Sequence, residues 1–297
     1  MNQLKLKLVT LAVLFTGLTA FSQPDKYHKA FFEDFNRSRP KNFEFHTGGK
    51  GADFTNKFGD RSPSERKTKV LSFRIDPEDP AGAGRGPEII SNNFTHFGTY
   101  AARIKVPDVK NTQPNAGAVV GYFTYHVDSV PGLSEIDYEW LIADPEIIYI
   151  GTWTGQNGDL RRIGRTINLA KGIIYSTGYK ERLSGINTPL TGDQNQPETV
   201  PVIENYDASA KFYTYGFDWY PERIRWWMIH PVTADTVVLW DYRGSQVGIP
   251  QNRSRYRLNF WHTNNWPVET NPNSIEKPLQ PYKTEVDWMS YDPLNEP

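Results

Sequence analysis

The residues best equipped for chemistry are Glu135, Asp137 and Glu139, within the run Ser134-Glu135-Ile136-Asp137-Tyr138-Glu139-Trp140. The acids occupy every second position, with apolar or aromatic residues between them. Side chains alternate faces along a β-strand, so the acids share one face, while Ile136, Tyr138 and Trp140 share the other, a core face. At roughly 3.3 Å of rise per residue, the Cα atoms of Glu135 and Glu139 lie about 13 Å apart. Each glutamate reaches about 4 Å, so a pair leaning inward leaves a carboxylate gap of about 5 Å. That gap suits a pair in which one carboxylate attacks an anomeric carbon and the other acts as acid and then base; admitting a water between them needs about 6.5–9.5 Å. Three like charges on one face cannot all ionise without cost, so at least one pKa is expected to rise, as suits a general acid at neutral pH. Two plainer readings compete: a solvated acidic strand face and a carboxylate site for a hard cation such as calcium.

Glu135-Ile136-Asp137-Tyr138-Glu139 resembles the E-x-D-x-E signature of glycoside hydrolase family 16, the family of lichenases, laminarinases, agarases and xyloglucan-active enzymes. The resemblance implies that Glu135 is the nucleophile, Asp137 its assistant and Glu139 the acid/base. One residue separates Asp137 from Glu139. Laminarinases, agarases and carrageenases typically insert a second, forming a β-bulge. The regular spacing resembles lichenases and xyloglucan-active enzymes, which implies a β-1,3/1,4- or β-1,4-linked glucan as substrate.

The flanking segments carry the resemblance further. Glu88, at the head of Glu88-Ile89-Ile90, matches a substrate-contacting Glu, although lichenases place an Arg where Ile90 stands. Val119–Tyr125 resembles the strand preceding the catalytic one, so Phe123 and Tyr125, which share a face, are expected to line sugar sites. Trp153, in Tyr149–Trp153, stands at an aromatic cleft position, while Gly151 replaces a lichenase Asn. Asn259-Phe260-Trp261 and Trp266 resemble the family's N-x-W…W segment, so Trp261 and Trp266 are candidates for sugar stacking. Trp219 ranks behind them, and Trp226 and Trp227 read as core. The closing strand Glu285–Tyr291 includes Asp287, a candidate ligand for the structural calcium that family members often hold between the chain ends. No cofactor is implied for catalysis.

Short alternating runs separated by Gly, Pro, Asn and Asp recur throughout, and long helical periodicity is scarce. The pattern predicts an all-β fold; the resemblance specifies a β-jelly-roll sandwich of two curved antiparallel sheets, with a substrate cleft on the concave face. Residues 23–297 read as one catalytic domain. The match lapses over about 161–205, an insertion expected to contain one strand near Ile163–Leu169 and to wall the cleft.

Residues 1–22 have the pattern of a signal peptide: Lys5 and Lys7, an apolar run from Leu8 to Leu18, and Ala20-Phe21-Ser22 as a cleavage site. A secreted or periplasmic protein is expected, with no membrane span after cleavage. The chain has no cysteine, so neither a disulfide nor a thiolate nucleophile is available, and stability must come from the core. The net charge of −1 gives no reason to expect nucleic acid or an anionic membrane as partner. A polysaccharide is the expected partner and a monomer the expected state. The 9 Trp, 16 Tyr and 16 Phe are enough to pack a core and still stack on sugar rings. A transglycosylase with the same acids is one alternative. A carbohydrate-binding lectin is another, but a lectin has no reason to keep all three acids.

Overall fold

Sequence alternation becomes strand pairing throughout the computed structural model, which describes residues 29–46, 56–82, 85–129, 132–156, 159–181, 187–244 and 247–294. The signal-like residues 1–22 lie outside that range. In chain order the strands are β1 (Phe31–Glu33), β2 (Phe43–Phe45), β3 (Asn56–Arg61), β4 (Lys69–Ile75), β5 (Glu88–Thr95) and β6 (Gly98–Lys105). Next come β7 (Ala118–Val127), β8 (Leu133–Leu141), β9 (Ile147–Gly155), β10 (Arg161–Asn168), β11 (Ile173–Glu181) and β12 (Asn187–Pro189). The last are β13 (Tyr213–Trp219), β14 (Ile224–Ile229), β15 (Thr236–Tyr242), β16 (Ser254–His262) and β17 (Tyr282–Pro293).

They form two antiparallel sheets, as the jelly-roll expectation requires. One has 8 strands, in the order β15-β14-β13-β6-β17-β4-β3 with β1 also on β17; the other has 9, in the order β12-β11-β10-β9-β8-β7-β16-β5-β2. Strand β8, with the three acids, lies near the middle of the second sheet, so both of its edges are paired and its register is set from two sides.

Aromatics fill the space between the sheets. Ile136, Tyr138 and Trp140 are fully buried, and the Tyr138 and Trp140 rings stack at 5.2 Å. Two hydrogen bonds pin β8 from behind. Trp226 Nε1 on β14 donates to the Asp137 carbonyl at 3.0 Å, and Tyr138 Oη donates to the Trp227 carbonyl at 3.3 Å. Buried polar tips must find partners, so these bonds help fix where the acid-bearing strand sits across the core. Trp219 is also fully buried, donating to the Pro250 carbonyl at 2.9 Å; the structure removes it from the site candidates.

The insertion differs from expectation. It holds three strands, β10, β11 and β12, which extend the acid-bearing sheet beyond β9. Strand β11 was not legible in the sequence because its outer positions are polar and even Ile173 and Tyr175 are exposed. Pairing with β10 along its length and with β12 at Gly178–Lys180 holds it in the sheet.

The predicted metal ligand Asp287 lies in the opposite sheet. Arg103 donates to its carboxylate at 2.6 Å and to Glu65 at 2.6 Å. A guanidinium already occupies this carboxylate, so its surroundings do not fit a calcium ion. Among the described residues, no group of three or more His, Asp or Glu is placed to hold a metal.

Candidate active site

Glu135, Asp137 and Glu139 project from the outer face of β8, opposite the buried Ile136, Tyr138 and Trp140. Each acid faces one residue on β7 and one on β9. Glu135 lies between Tyr125 and Trp153, Asp137 between Phe123 and Gly151, and Glu139 between Gly121 and Tyr149. Such directly opposed pairs share a sheet face, so Phe123, Tyr125 and Trp153 are gathered around the acids as expected.

An open groove of about 540 Å³ runs away from Asp137 and Glu139 across β9, β10 and β11 to Thr188 and Pro189. Strand register arranges its lining in three rows. From Asp137 the middle row continues through Gly151, Gly164 and Gly178 to Pro189, a floor without side chains until its far edge. One wall continues from Glu135 through Trp153 and Arg162 to Lys180. The other continues from Glu139 through Tyr149 and Thr166 to Ser176, a row of hydroxyls. At about 4.8 Å per strand, the floor extends roughly 14 Å from Asp137 to Gly178. Close approach explains Gly151, since a Cβ there would lie 2.3 Å from the Ile163 carbonyl oxygen. Gly132, at the entry to β8, has φ +107°, and a Cβ there would lie 2.3 Å from the Gly155 carbonyl oxygen. That position therefore needs glycine for both reasons.

Burial dominates the electrostatics. Asp137 is held well above the usual carboxylate range by desolvation and then by the charges of Glu135 and Glu139, with Arg162 opposing. It is also hydrogen-bonded to Glu135. The protonated Asp137 therefore donates to Glu135 and leaves that carboxylate its charge. Glu139 is only partly exposed to the groove, and desolvation raises its pKa to about 7 against a smaller, opposite pull from Arg162.

The Glu139 shift has a stability consequence. The unfolded chain ionises this group near 4.5 and the folded protein near 7, so the folded state binds more protons between those values. The associated stabilisation is complete below pH 4.5 and is lost as pH rises through 7. Its size is about 3 kcal/mol. Thermal unfolding followed from pH 5 to pH 8 should show this decline, and Glu139→Gln should flatten it.

The remaining expected site residues fall into distinct settings. Glu88 lies on the acid-bearing face, in one row with Asn259, Gly121 and Glu139. It is buried, and Arg257 donates to it at 2.5 Å. The same guanidinium lies 5.2 Å from the Tyr125 ring centre. Trp266 lines the groove, edge-on to Tyr149 at 4.9 Å, and the Tyr149 hydroxyl donates to Glu269. Trp261 is only 7% exposed, packed with Val119, Leu141 and Val268 against Tyr149 and Trp266. It supports those rings from outside the groove lining.

Several site residues escaped the sequence reading. Tyr149 has the same strand parity as Trp153, a signal that could have found it. Arg162, Gly164, Lys180 and Thr166 belong to the insertion, where no motif marks them. Asn259 was quoted only as part of a motif. Its Oδ1 is buried without a hydrogen-bond partner among the described residues, and it stands over Gly121, where a Cβ would be 2.5 Å away.

No family model matches the chain. Over 176 residues, 59% of its length, it is 26% identical to a xylanase/beta-glucanase of Ruminococcus flavefaciens, and the match spans 16% of that relative. A prokaryotic beta-1,3-1,4-glucanase (lichenase) from a mouse hindgut metagenome superposes with TM-score 0.53 at 19% identity, covering 89% of this chain and 99% of the other. A transglycosylase solved in complex with NAG superposes with TM-score 0.51 at 19% identity, covering 90% and 84%. At these identities the structural likenesses establish the two-sheet jelly-roll fold.

Proposed function

We propose that this protein is a retaining, endo-acting β-glycosidase that hydrolyses a polysaccharide with a β-1,3/1,4- or β-1,4-linked glucan backbone. The observation carrying this reading is the acid trio on one strand face at the head of an open groove. Its members differ in charge state: Asp137 keeps its proton beside Glu135, and Glu139 titrates near 7. Environments that push neighbouring carboxyl groups apart separate acid from nucleophile.

In the first step Glu135 attacks the anomeric carbon while Glu139 protonates the departing glycosidic oxygen. In the second, Glu139 takes a proton from water, which displaces Glu135 and frees the sugar. Asp137 donates a hydrogen bond to Glu135 and suppresses a second charge beside it. Trp153, Tyr125 and Trp266 offer ring faces for sugars, and Glu88 and Asn259 lie in one row with Glu139. The signal-like residues 1–22 support export of the enzyme to the periplasm or the medium. The catalytic steps use only side chains of this protein.

Reducing-end release from mixed-linkage glucan, xyloglucan, laminarin, agarose and carrageenan tests the reading. Cleavage of a glucan in mid-chain, with the β anomer formed first, is the expected result. The α anomer as first product would refute the retaining mechanism, and binding without release from any polymer would favour a lectin. A product lengthened by transfer to another sugar would identify the transglycosylase alternative. Because Glu139 must begin protonated, kcat/KM should fall about tenfold per pH unit above 7.

The groove floor offers a separate check. A Cβ at Gly164 meets nothing nearer than the Ile150 carbonyl oxygen at 3.8 Å. Gly164→Leu therefore places a side chain on the floor with little strain at its attachment. Catalysis on a polymer should drop by roughly 10–100-fold, mainly through KM, while a short aryl glycoside with only its leaving group toward the floor is affected less. Equal loss on both would remove the floor from the binding path.

A further inference from the structure

We infer that the half of the groove built from β9, β10 and β11 binds a sugar unit carrying a negative charge, with Arg162 and Lys180 as its recognition pair. This rests on the proposed reading of the groove as a glycan site and narrows the substrate to an acid-bearing polysaccharide. Arg162 and Lys180 are direct cross-strand partners, and both line the groove. Like charges in directly opposed positions destabilise a sheet. Among the described residues neither makes a contact ion pair; Arg162 feels the acids of β8 at longer range, and Lys180 has no such carboxylate beside it.

The Arg162 guanidinium lies 5.4 Å from the Trp153 ring centre. Stacking of this kind uses the face of the guanidinium and leaves its in-plane N–H donors available for two-point contact with a carboxylate or sulfate. Lys180 adds a second positive charge one strand spacing further on. From Glu135, Arg162 is two spacings away and Lys180 three, about 10 and 14 Å. At that remove they hold the chain without touching the bond that breaks. The facing wall carries the Thr166 and Ser176 hydroxyls, Ser176 donating to Thr166 at 3.3 Å, and bears no charge there. One edge of the bound sugar therefore meets cations and the other neutral donors, a match for a substituent on a single edge. A uronic carboxylate and a sulfate ester both supply that chemistry.

The test is titration of the full-length Glu135→Ala protein, which retains substrate uncleaved, with β-glucan oligosaccharides on one backbone: unmodified, carboxymethylated or sulfated. At about 20 mM salt the charged forms should bind at least tenfold more tightly, and the advantage should shrink at about 0.5 M salt. Adding Arg162→Gln and Lys180→Gln should remove the advantage, and an unchanged Tm for the variant reports an intact fold. Exchanging the two residues, Arg162→Lys with Lys180→Arg, should preserve it. Stronger binding of the carboxymethylated form assigns a uronic-type substituent, and of the sulfated form a sulfate ester. Equal binding of charged and unmodified forms, a preference that survives the double glutamine variant, or no binding of either charged form overturns the inference. Failure of the enzyme reading looks different: charged oligosaccharides bind through the two cations, but the unsubstituted protein releases no reducing ends from them.

Discussion

Glu135→Ala is expected to lower kcat/KM by roughly 10⁴-fold or more while the protein folds and still binds glycan. Removing the attacking oxygen leaves no group at the correct side of the anomeric carbon, and water cannot fill the position at a carboxylate's reactivity. The small side chain also opens room beside Asp137 and Tyr125. Azide added at high concentration should enter that space and attack in place of the missing carboxylate. On a substrate with an activated leaving group, activity then returns in part and the product is the α-glycosyl azide, inverted relative to the substrate. Glu139→Gln should behave differently. Glycosides with good leaving groups should still form the covalent intermediate, because they need little protonation, and azide should speed its breakdown to a β-glycosyl azide. Swapped stereochemistry between the variants would exchange the assigned roles, and the same stereochemistry in both would abolish them. Rescue in neither, with both variants folded, would remove the acids from the chemistry.

Arg165→Ala should be the most disruptive substitution away from the acids. Arg165 is 1% exposed and, among the described residues, has no carboxylate partner. It donates from Nε to Thr177 at 2.9 Å, from Nη1 to the Pro197 and Leu239 carbonyls at 2.8 and 2.9 Å, and from Nη2 to Asn195 at 2.6 Å. Its guanidinium also lies 5.1 Å from the Trp240 ring centre. One side chain thus ties β10 to β11, to the chain around Asn195–Pro197 and to β15. Burial draws its pKa down to about 9, and the surrounding acceptors favour the charged form. Truncation leaves those acceptors buried without donors, at a cost of about 3–5 kcal/mol. A fall in Tm of roughly 10 °C follows for a domain of this size. The loss should also be local. Hydrogen exchange should accelerate in 161–181 and 187–197 before it does in β8, and KM for polymer should rise more than kcat falls. A variant with unchanged Tm and exchange would show that the extension is held by its strand pairing alone.

These two positions illustrate how differently the chain discloses its parts. Glu135, Asp137 and Glu139 were legible because a strand alternates faces every residue, and the apolar Ile136, Tyr138 and Trp140 declare which face is buried. Phe123, Tyr125 and Trp153 were implied by the resemblance, and strand parity agrees with it by setting Phe123 and Tyr125 on one face. Tyr149 shares the parity of Trp153 on β9, a signal as local as theirs. The all-β class follows from local alternation; the antiparallel jelly roll was implied by the resemblance, and the place of β8 in its sheet came from strand pairing.

Nothing local marks Arg165 as buried, because its acceptors come from residues 177, 195, 197 and 239. Nothing local aligns Gly151, Gly164 and Gly178 into a floor, or sets Lys180 beside Arg162. Those relations depend on register between strands, and a shift of one residue would exchange inward and outward sides throughout a strand. Glu88 likewise meets Arg257 only across the sheet, 169 positions along the chain. Charge state follows the same division. Three acids on one face foretold a raised pKa, but assigning the proton to Asp137 and a value near 7 to Glu139 required the burial around each. The sequence by itself determined the acid trio, its strand and its face, because backbone geometry repeats every two residues. The tertiary structure decided where the groove runs, what lines it and which acid holds a proton, because those depend on atoms that only packing brings together.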